Sequence, residues 1–240
     1  MYTLTFIIVQ LISYTNVITV NYSPYYITGE NSFITIESLA QNVYTQINDP
    51  ELNFEALNYA LKGYYMLRTK NIINNDLILT IIDYSKPSDS RRLFVIDISE
   101  WKILYKSLVA HGKNSGIRYA NSFSNKKSSY KSSIGFFLTD ETYYGKHGFS
   151  LRLDGLEKGI NDNARERAIV IHSAGYVNEE FIKEYGRLGR SHGCPALPLN
   201  NYKNIVNTIK DKTCLFIYYP DKKYIKDSEF VNTGGKILIN

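Results

Sequence analysis

Ser191-His192-Gly193-Cys194-Pro195 is the stretch of this chain whose residue types can do covalent chemistry. A cysteine nucleophile acts as its thiolate, and a free thiol is mostly protonated at neutral pH. An imidazolium and oriented backbone N–H groups lower the thiol pKa, so a reactive cysteine is expected beside a histidine. Gly193 lets the chain turn sharply and keeps the backbone bare, which allows N–H groups to aim at a developing oxyanion. Pro195 removes a donor and stiffens the exit. Packing poorly explains a cysteine between Gly and Pro in a polar loop.

Upstream, His172 closes the apolar, β-branched run Ala168-Ile169-Val170-Ile171. A histidine at the tip of a buried strand has few rotamers open to it, which suits a fixed base. Ser173 follows directly and can orient the ring through its hydroxyl or its carbonyl. His172, His192 and Cys194 could also be imagined as zinc ligands. The chain has no His-Glu-x-x-His helix and no Cys-x-x-Cys pair, so neither a metal nor a cofactor is expected. His192 stands open between a catalytic and a structural role. His111 and His147 read as loop or supporting residues, with direct substrate contact as the alternative. Arg167 is a candidate for a two-pronged carboxylate grip. Arg165 reads as part of a solvated face, and Asp154 and Asp162 as turn residues.

These groups need rigid elements to hold them. Leu77–Tyr84, Arg92–Asp97 and Ile103–Ala110 read as strands separated by turn signals. After a polar stretch from His111 to Ser133, Ile134–Leu138 and Phe149–Leu153 read as strands flanking a loop at Tyr144–Gly148. Ala168–Ile171 fits a buried strand. Asn200 or Asn201 can cap a short helix carrying Ile205, Val206 and Ile209, and the strand around Cys214 follows. Further upstream, Ile34 to Thr69 has helical spacing, with Asp49-Pro50-Glu51 as a helix start. The fold class expected is α+β, a mainly β core with an N-terminal helical segment.

The segments Ser132-Ser133-Ile134-Gly135, Gly145-Lys146-His147-Gly148, Leu153-Asp154-Gly155, Asn161–Arg167 and Gly189-Arg190-Ser191, together with His172 and Ser191-His192-Gly193-Cys194, resemble the L,D-transpeptidases of the YkuD superfamily. The likeness is greatest to its murein "L,D-transpeptidase catalytic domain-like" branch and covers about residues 75–220. The resemblance implies a mixed β-sandwich catalytic core and a peptidoglycan cross-linking reaction. It makes Cys194 the nucleophile and His172 its base. Gly193 and Cys194 would supply oxyanion donors, with Ser173 and His192 in support. The expected partners are peptidoglycan stem peptides. The alternatives are an L,D-carboxypeptidase acting on the same bond and a non-catalytic wall-binding module. Two departures stand out. The spacer between His172 and Ser191 is longer than in common members, which implies an extended lid over Tyr176–Arg190. Pro195-Ala196 replaces the usual apolar residue followed by Asn or Arg, so the contact made there falls to Arg190 or Arg187. His111, Arg167 and Arg190 are the candidate substrate-binding residues.

The bulk numbers are compatible with this. Over 240 residues, 44% are hydrophobic and 21% charged, which excludes a wholly disordered chain. A net charge of +5 is too mild for a dedicated nucleic-acid binder. The 21 Tyr accompany abundant Asn, Ile and Lys, as skewed codon use produces, and no aromatic platform is read into them. Two cysteines, Cys194 and Cys214, do not make a disulfide framework, although their pairing stays open. Residues 1–23 form an apolar segment that reads as a signal peptide or as a first strand. A signal peptide would place the mature protein in the periplasm or outside the cell, with no other lipid insertion. The domain organisation expected is this segment, a helical segment at 24–74, a catalytic domain at 75–225 and a tail at 226–240.

Overall fold

The computed structural model describes residues 18–20, 32–233 and 236–239. The apolar segment at 1–23 and the polar stretch at 21–33 lie outside these residues, apart from β1 (Ile18–Val20) and the start of β2 (Ser32–Thr35). The chain continues through α1 (Ile36–Ile47), α2 (Phe54–Thr69), β3 (Ile78–Asp83), β4 (Leu93–Asp97), β5 (Lys102–Ser107), β6 (Gly135–Gly145) and β7 (Gly148–Gly155). It then forms β8 (Val170–Ser173), α3 (Glu179–Tyr185), β9 (Ala196–Leu197), α4 (Tyr202–Ile209), β10 (Cys214–Tyr218), α5 (Lys222–Asp227), α6 (Glu229–Asn232) and β11 (Lys236–Ile239).

The helical spacing from Ile34 to Thr69 resolves into two helices. Asn48 adopts a left-handed conformation at φ 48° and ends α1. Asp49 does not cap a helix as its spacing suggested. Its carboxylate accepts the Glu51 N–H at 2.8 Å in a turn, and its second oxygen takes Lys106 Nζ at 2.8 Å. Asn53 is the cap of α2, accepting the Glu55 and Ala56 N–H groups. The short polar side chain of Asn53 bonds the free first-turn donors, and this fixes the true start.

Eight strands form one sheet in the order β5-β4-β3-β10-β6-β7-β8-β9. β3 and β10 pair in parallel at its centre, and all their residues are buried. This explains why both read as continuous apolar runs rather than alternating ones. α2 and α4 both pack against β3. Gly63 on α2 is required by close approach: a Cβ there would lie 2.1 Å from the Phe136 ring. That ring also stacks on Phe216 at 4.3 Å and on Phe230 of α6 at 5.0 Å. Beyond the far edge, Ala110 bridges Ala196, so the segment after β5 returns to β9 and the sheet closes in a barrel-like manner.

The helices at both ends share this core. Leu39, Leu57 and Leu61 are fully or almost fully buried in the same cluster as the sheet residues. The expected boundary at 225 falls inside α5, and Val231 of α6 is buried. Glu157 ties this end down. Its carboxylate accepts the Phe136 N–H at 2.7 Å and the Tyr224 hydroxyl at 3.1 Å, and also takes the Ser228 hydroxyl. Burial raises the Glu157 pKa against the pull of these donors.

Candidate active site

β8 and β9 run parallel, with His172 opposite Ala196 and Ser173 opposite Leu197. This register brings Cys194, two residues before Ala196, alongside the start of β8. Cys194 Sγ lies 3.6 Å from the Ala168 carbonyl, and the Val170 N–H also reaches it. Ala168 is held at φ 54°, an uncommon conformation for a residue with a Cβ, directly beside the sulfur. Cys194 is free and half-buried, whereas Cys214 is free and completely buried in β10. The two do not form a disulfide.

His172 is buried, and its Nδ1 lies 2.9 Å from the Ser173 carbonyl. Because a carbonyl only accepts, Nδ1 carries the proton and Nε2 holds the lone pair. Ser173 therefore orients the ring with its backbone oxygen. Burial lowers the His172 pKa, the Ser173 carbonyl opposes the shift, and nearby His147 adds to it. Burial raises the Cys194 thiol, opposed by the Val170 N–H and the Arg167 guanidinium. Both shifts favour neutral forms. The sequence suggested a thiolate stabilised by an imidazolium; the resting site instead favours a thiol and a neutral imidazole, because burial outweighs the donors around the sulfur.

The turn before Cys194 is tightly determined. Ser191 Oγ accepts the Gly193 N–H at 3.0 Å and donates to the Cys194 carbonyl at 2.6 Å. Ser132 Oγ donates to the Gly193 carbonyl at 3.1 Å and accepts the Gly112 N–H at 3.0 Å. The Gly193 N–H is thus occupied inside the turn and does not point out as an oxyanion donor. The Cys194 N–H has no hydrogen-bond partner among the described residues and is the donor left available. Tyr176 in the spacer is half-buried, and burial, with the Cys194 charge adding, pushes its phenol up to about 12.

Gly193 sits at φ +125°, and a Cβ there would meet the Lys131 carbonyl at 2.8 Å. Gly193→Ala is therefore expected to cost about 1–3 kcal/mol, the usual scale for a forced backbone conformation. A thermal melt reads that loss, and slower alkylation of Cys194 by iodoacetamide reads the displaced turn. An unchanged melt would show that the turn accommodates a side chain.

The remaining sequence candidates fall in two places. His192 is exposed and packs on Tyr130 at 4.6 Å between ring centroids. Lys113 covers the same Tyr130 ring at 4.2 Å. His111 is fully buried, with Nδ1 2.8 Å from Arg92 Nη2 and Nε2 3.3 Å from the Gly116 carbonyl. Both nitrogens are used inside the fold, so neither is free for the substrate contact that stood as the alternative to a supporting role. Burial, with Arg92 adding, pushes its pKa down to about 3. Arg167 donates to the carbonyls of Ser124 and Lys131 and to the hydroxyls of Ser129 and Ser133. These bonds hold the 122–133 loop against the start of β8 and leave little of the guanidinium for a carboxylate. Arg190 donates to the carbonyls of Lys113 and Gly116, both at 3.1 Å, and Arg187 to that of Leu188 at 2.8 Å. Arg165 is bonded to Asp140 and Asp154 on the surface.

The expected lid is partly helical. α3 is capped by Asn178 and ends at Gly186, and Val177 and Leu188 anchor the segment in a small separate core with Leu108, Ala110, Ala174 and Ala196. Sequence reasoning gave His147 no firm role. The structure stacks its ring on His172, with centroids 4.5 Å apart and planes 24° apart. The available signal was the Gly145-Lys146-His147-Gly148 motif, a histidine held in a tight hairpin turn.

Among the described residues, no group of three His, Cys, Asp or Glu side chains is placed to hold a metal ion, and no helix is long and apolar enough to cross a membrane.

Residues 48–218 match the L,D-transpeptidase catalytic domain family. No curated protein matches the chain. Among solved structures, an L,D-transpeptidase from Mycobacterium smegmatis is 14% identical, with 60% of this chain and 59% of that one covered and a TM-score of 0.36. The helical cell shape determining protein from Campylobacter jejuni is 13% identical, with 71% and 58% covered and a TM-score of 0.42. An Enterococcus faecium L,D-transpeptidase is 13% identical, with 59% and 49% covered and a TM-score of 0.35. The chain spans less than two thirds of each of these structures.

Proposed function

We propose, because the chain belongs to the L,D-transpeptidase catalytic-domain family, that it transfers acyl groups between peptidoglycan stem peptides in the cell envelope, with Cys194 as nucleophile and His172 as base. The observation that carries this reading is the parallel pairing of β8 with β9, which sets the two residues on neighbouring backbones with His172 Nε2 unprotonated.

Cys194 Sγ attacks the carbonyl of the third stem residue, in the L,D amide that precedes the terminal D-Ala. The thiol proton passes to His172 Nε2 as the S–C bond forms, since the resting thiol is neutral. The Cys194 N–H faces the developing oxyanion, where a fixed donor in a water-poor site has its greatest effect. Collapse breaks the amide C–N bond, and the proton on His172 goes to the departing D-Ala amine. The thioester then meets the side-chain amine of a second stem. His172 takes the amine proton, a new amide joins two third residues, and the thiol is regenerated. Water in place of the amine gives L,D-carboxypeptidase action.

The reading is tested by incubating the protein with disaccharide tetrapeptides and following products by mass spectrometry. A dimer linked through third residues is the result expected. Free tripeptide alone would make the protein a hydrolase. No product of either kind would sink catalysis and leave a wall-binding module.

A further inference from the structure

The β6–β7 hairpin has a feature that the acyl-transfer chemistry does not use. Its tip carries Lys146 and His147 between the paired Gly145 and Gly148. The register of β7 with β8 sets Leu151 opposite Ile171 and Arg152 opposite Val170, so the hairpin runs directly alongside the strand of His172. At the tip, the exposed His147 ring lies almost flat on the buried His172 ring, at 4.5 Å and 24°.

The Ser173 carbonyl fixes His172 at one atom, Nδ1. A single hydrogen bond at the ring edge sets which nitrogen is protonated but restrains the tilt of the ring weakly. A second aromatic plate on the face of the ring removes that freedom. The plate also shields one face of the imidazole from water. We propose that His147 is a positioning residue for His172: its stacked ring holds the base in the plane that presents Nε2 to Cys194, and its own charge state sets how readily that base stays neutral. The inference rests on the assignment of His172 as the base.

A neutral His147 imidazole offers its π face to the imidazolium that forms on His172 during attack. A protonated one would repel that same imidazolium across the stack. Other charged or titratable groups lie on the elements packed against His172. Lys146 is on the same turn. Arg152 on β7 is paired with Glu141 at 3.0 Å and covers Tyr143 at 4.2 Å. Asp154 on β7 is bonded to Arg165. Cys194 approaches from the turn before β9, and Arg167 precedes β8 and is bonded to the 122–133 loop. His147 is the one among them that lies face to face with His172 and bears on its titration.

The chain has only four histidines, so each imidazole can be followed by NMR during a pH titration of the wild type, His147→Ala and His147→Phe. Removing the like charge in either variant is expected to move the His172 midpoint upward by about half a pH unit. On tetrapeptide substrate, His147→Ala is expected to lower kcat/KM roughly ten-fold through loss of orientation. His147→Phe keeps the plate and is expected to stay within about two-fold of wild type above the acidic limb. The acidic limb itself should rise in both variants, because the base must be neutral to act. A merely structural tip would change rates without moving the limb. An unmoved His172 midpoint in both variants, or His147→Phe as slow as His147→Ala, overturns the proposal. If the wild type turns over no substrate, the acyl-transfer reading fails, while the NMR titration and the pH dependence of Cys194 alkylation by iodoacetamide still decide the role of His147.

Discussion

Cys194→Ala is expected to abolish turnover of a tetrapeptide stem, whereas Cys214→Ala should keep turnover and lose stability. The contrast follows from burial. Cys214 has no exposed surface, pairs with Leu79 and Leu138 on its two neighbouring strands, and has its thiol pKa pushed up by burial alone. It behaves as a small core hydrophobe, and trimming it to Ala should cost about 1 kcal/mol, or a melting temperature lower by roughly 2–4 °C. Cys194 sits in a turn with part of its side chain open and backbone groups around its sulfur. Removing a nucleophile from a covalent mechanism commonly costs on the order of 10⁴-fold or more in kcat. The mass increase on alkylation should map to Cys194 alone in the folded protein. Residual activity in Cys194→Ala would end the nucleophile assignment, and alkylation at Cys214 would show that the core strand opens.

The same site sets the expected pH dependence. Burial lowers the His172 pKa, so the imidazole proposed as the base stays neutral further into acid than an ordinary one. Burial raises the Cys194 thiol, so no thiolate accumulates at neutral pH to be protonated. The acidic limb of kcat/KM should therefore lie below the usual histidine range. The thiol should react with iodoacetamide slowly until the pH rises past the ordinary cysteine range.

The sequence made some of this legible, for physical reasons. β3, β4 and β10 were readable because strands buried over all or nearly all of their length become largely apolar runs. Cys194 and His172 stood out as candidates because Gly-Cys-Pro in a polar loop, and a histidine closing a β-branched strand, have few packing explanations, and the pairing of β8 with β9 brings their backbones side by side. β9 was not readable: two residues carry no periodicity, and only the pairing with β8 makes Ala196 and Leu197 a strand. The start of α2 was misplaced because Asp49 and Asn53 have equally good side chains for capping. Only the left-handed Asn48 and the contact of Lys106 decide between them. The loss of Gly193 as an oxyanion donor was also invisible, since it depends on where Ser191 Oγ points. His111 and Arg167 have side chains that suit substrate contacts as well as internal ones. Their partners in space, not their types, assign them inward.

Arg92→Met should be more destabilising than Gly193→Ala or Cys214→Ala, and it should also disable the site from a distance. Arg92 is among the largest side chains with no exposed surface. Its Nε and Nη2 donate to the Val109 carbonyl at 3.1 and 2.8 Å, Nη1 donates to the Lys86 carbonyl at 2.8 Å, and Nη2 also reaches His111 Nδ1 at 2.8 Å. Its guanidinium lies over the Tyr84 ring at 4.8 Å. Burial lowers its pKa to about 10, with Tyr84, Asp83 and Asp89 opposing, so it remains a cation at neutral pH. Methionine fills much of the volume but leaves two carbonyls and an imidazole nitrogen without donors in the interior. Each such loss costs about 1–3 kcal/mol, so the sum should reach about 3 kcal/mol or more, or a melting temperature lower by about 10 °C. The effect should travel further. The His111 carbonyl accepts the Ser191 N–H at 2.9 Å, and the Ser191 carbonyl accepts the Lys113 N–H at 2.8 Å. Ser191 Oγ then holds the Gly193 N–H and the Cys194 carbonyl. A segment released at Val109 and His111 therefore loosens the turn that aims the sulfur. Arg92→Lys should not rescue either property, because one compact ammonium on a flexible stem cannot reach three acceptors fixed in the plane of a guanidinium. Thermal melts and Cys194 alkylation rates of the two variants check both halves. A lysine variant with wild-type melting and alkylation would show that charge alone, rather than the planar fork, organises this interior.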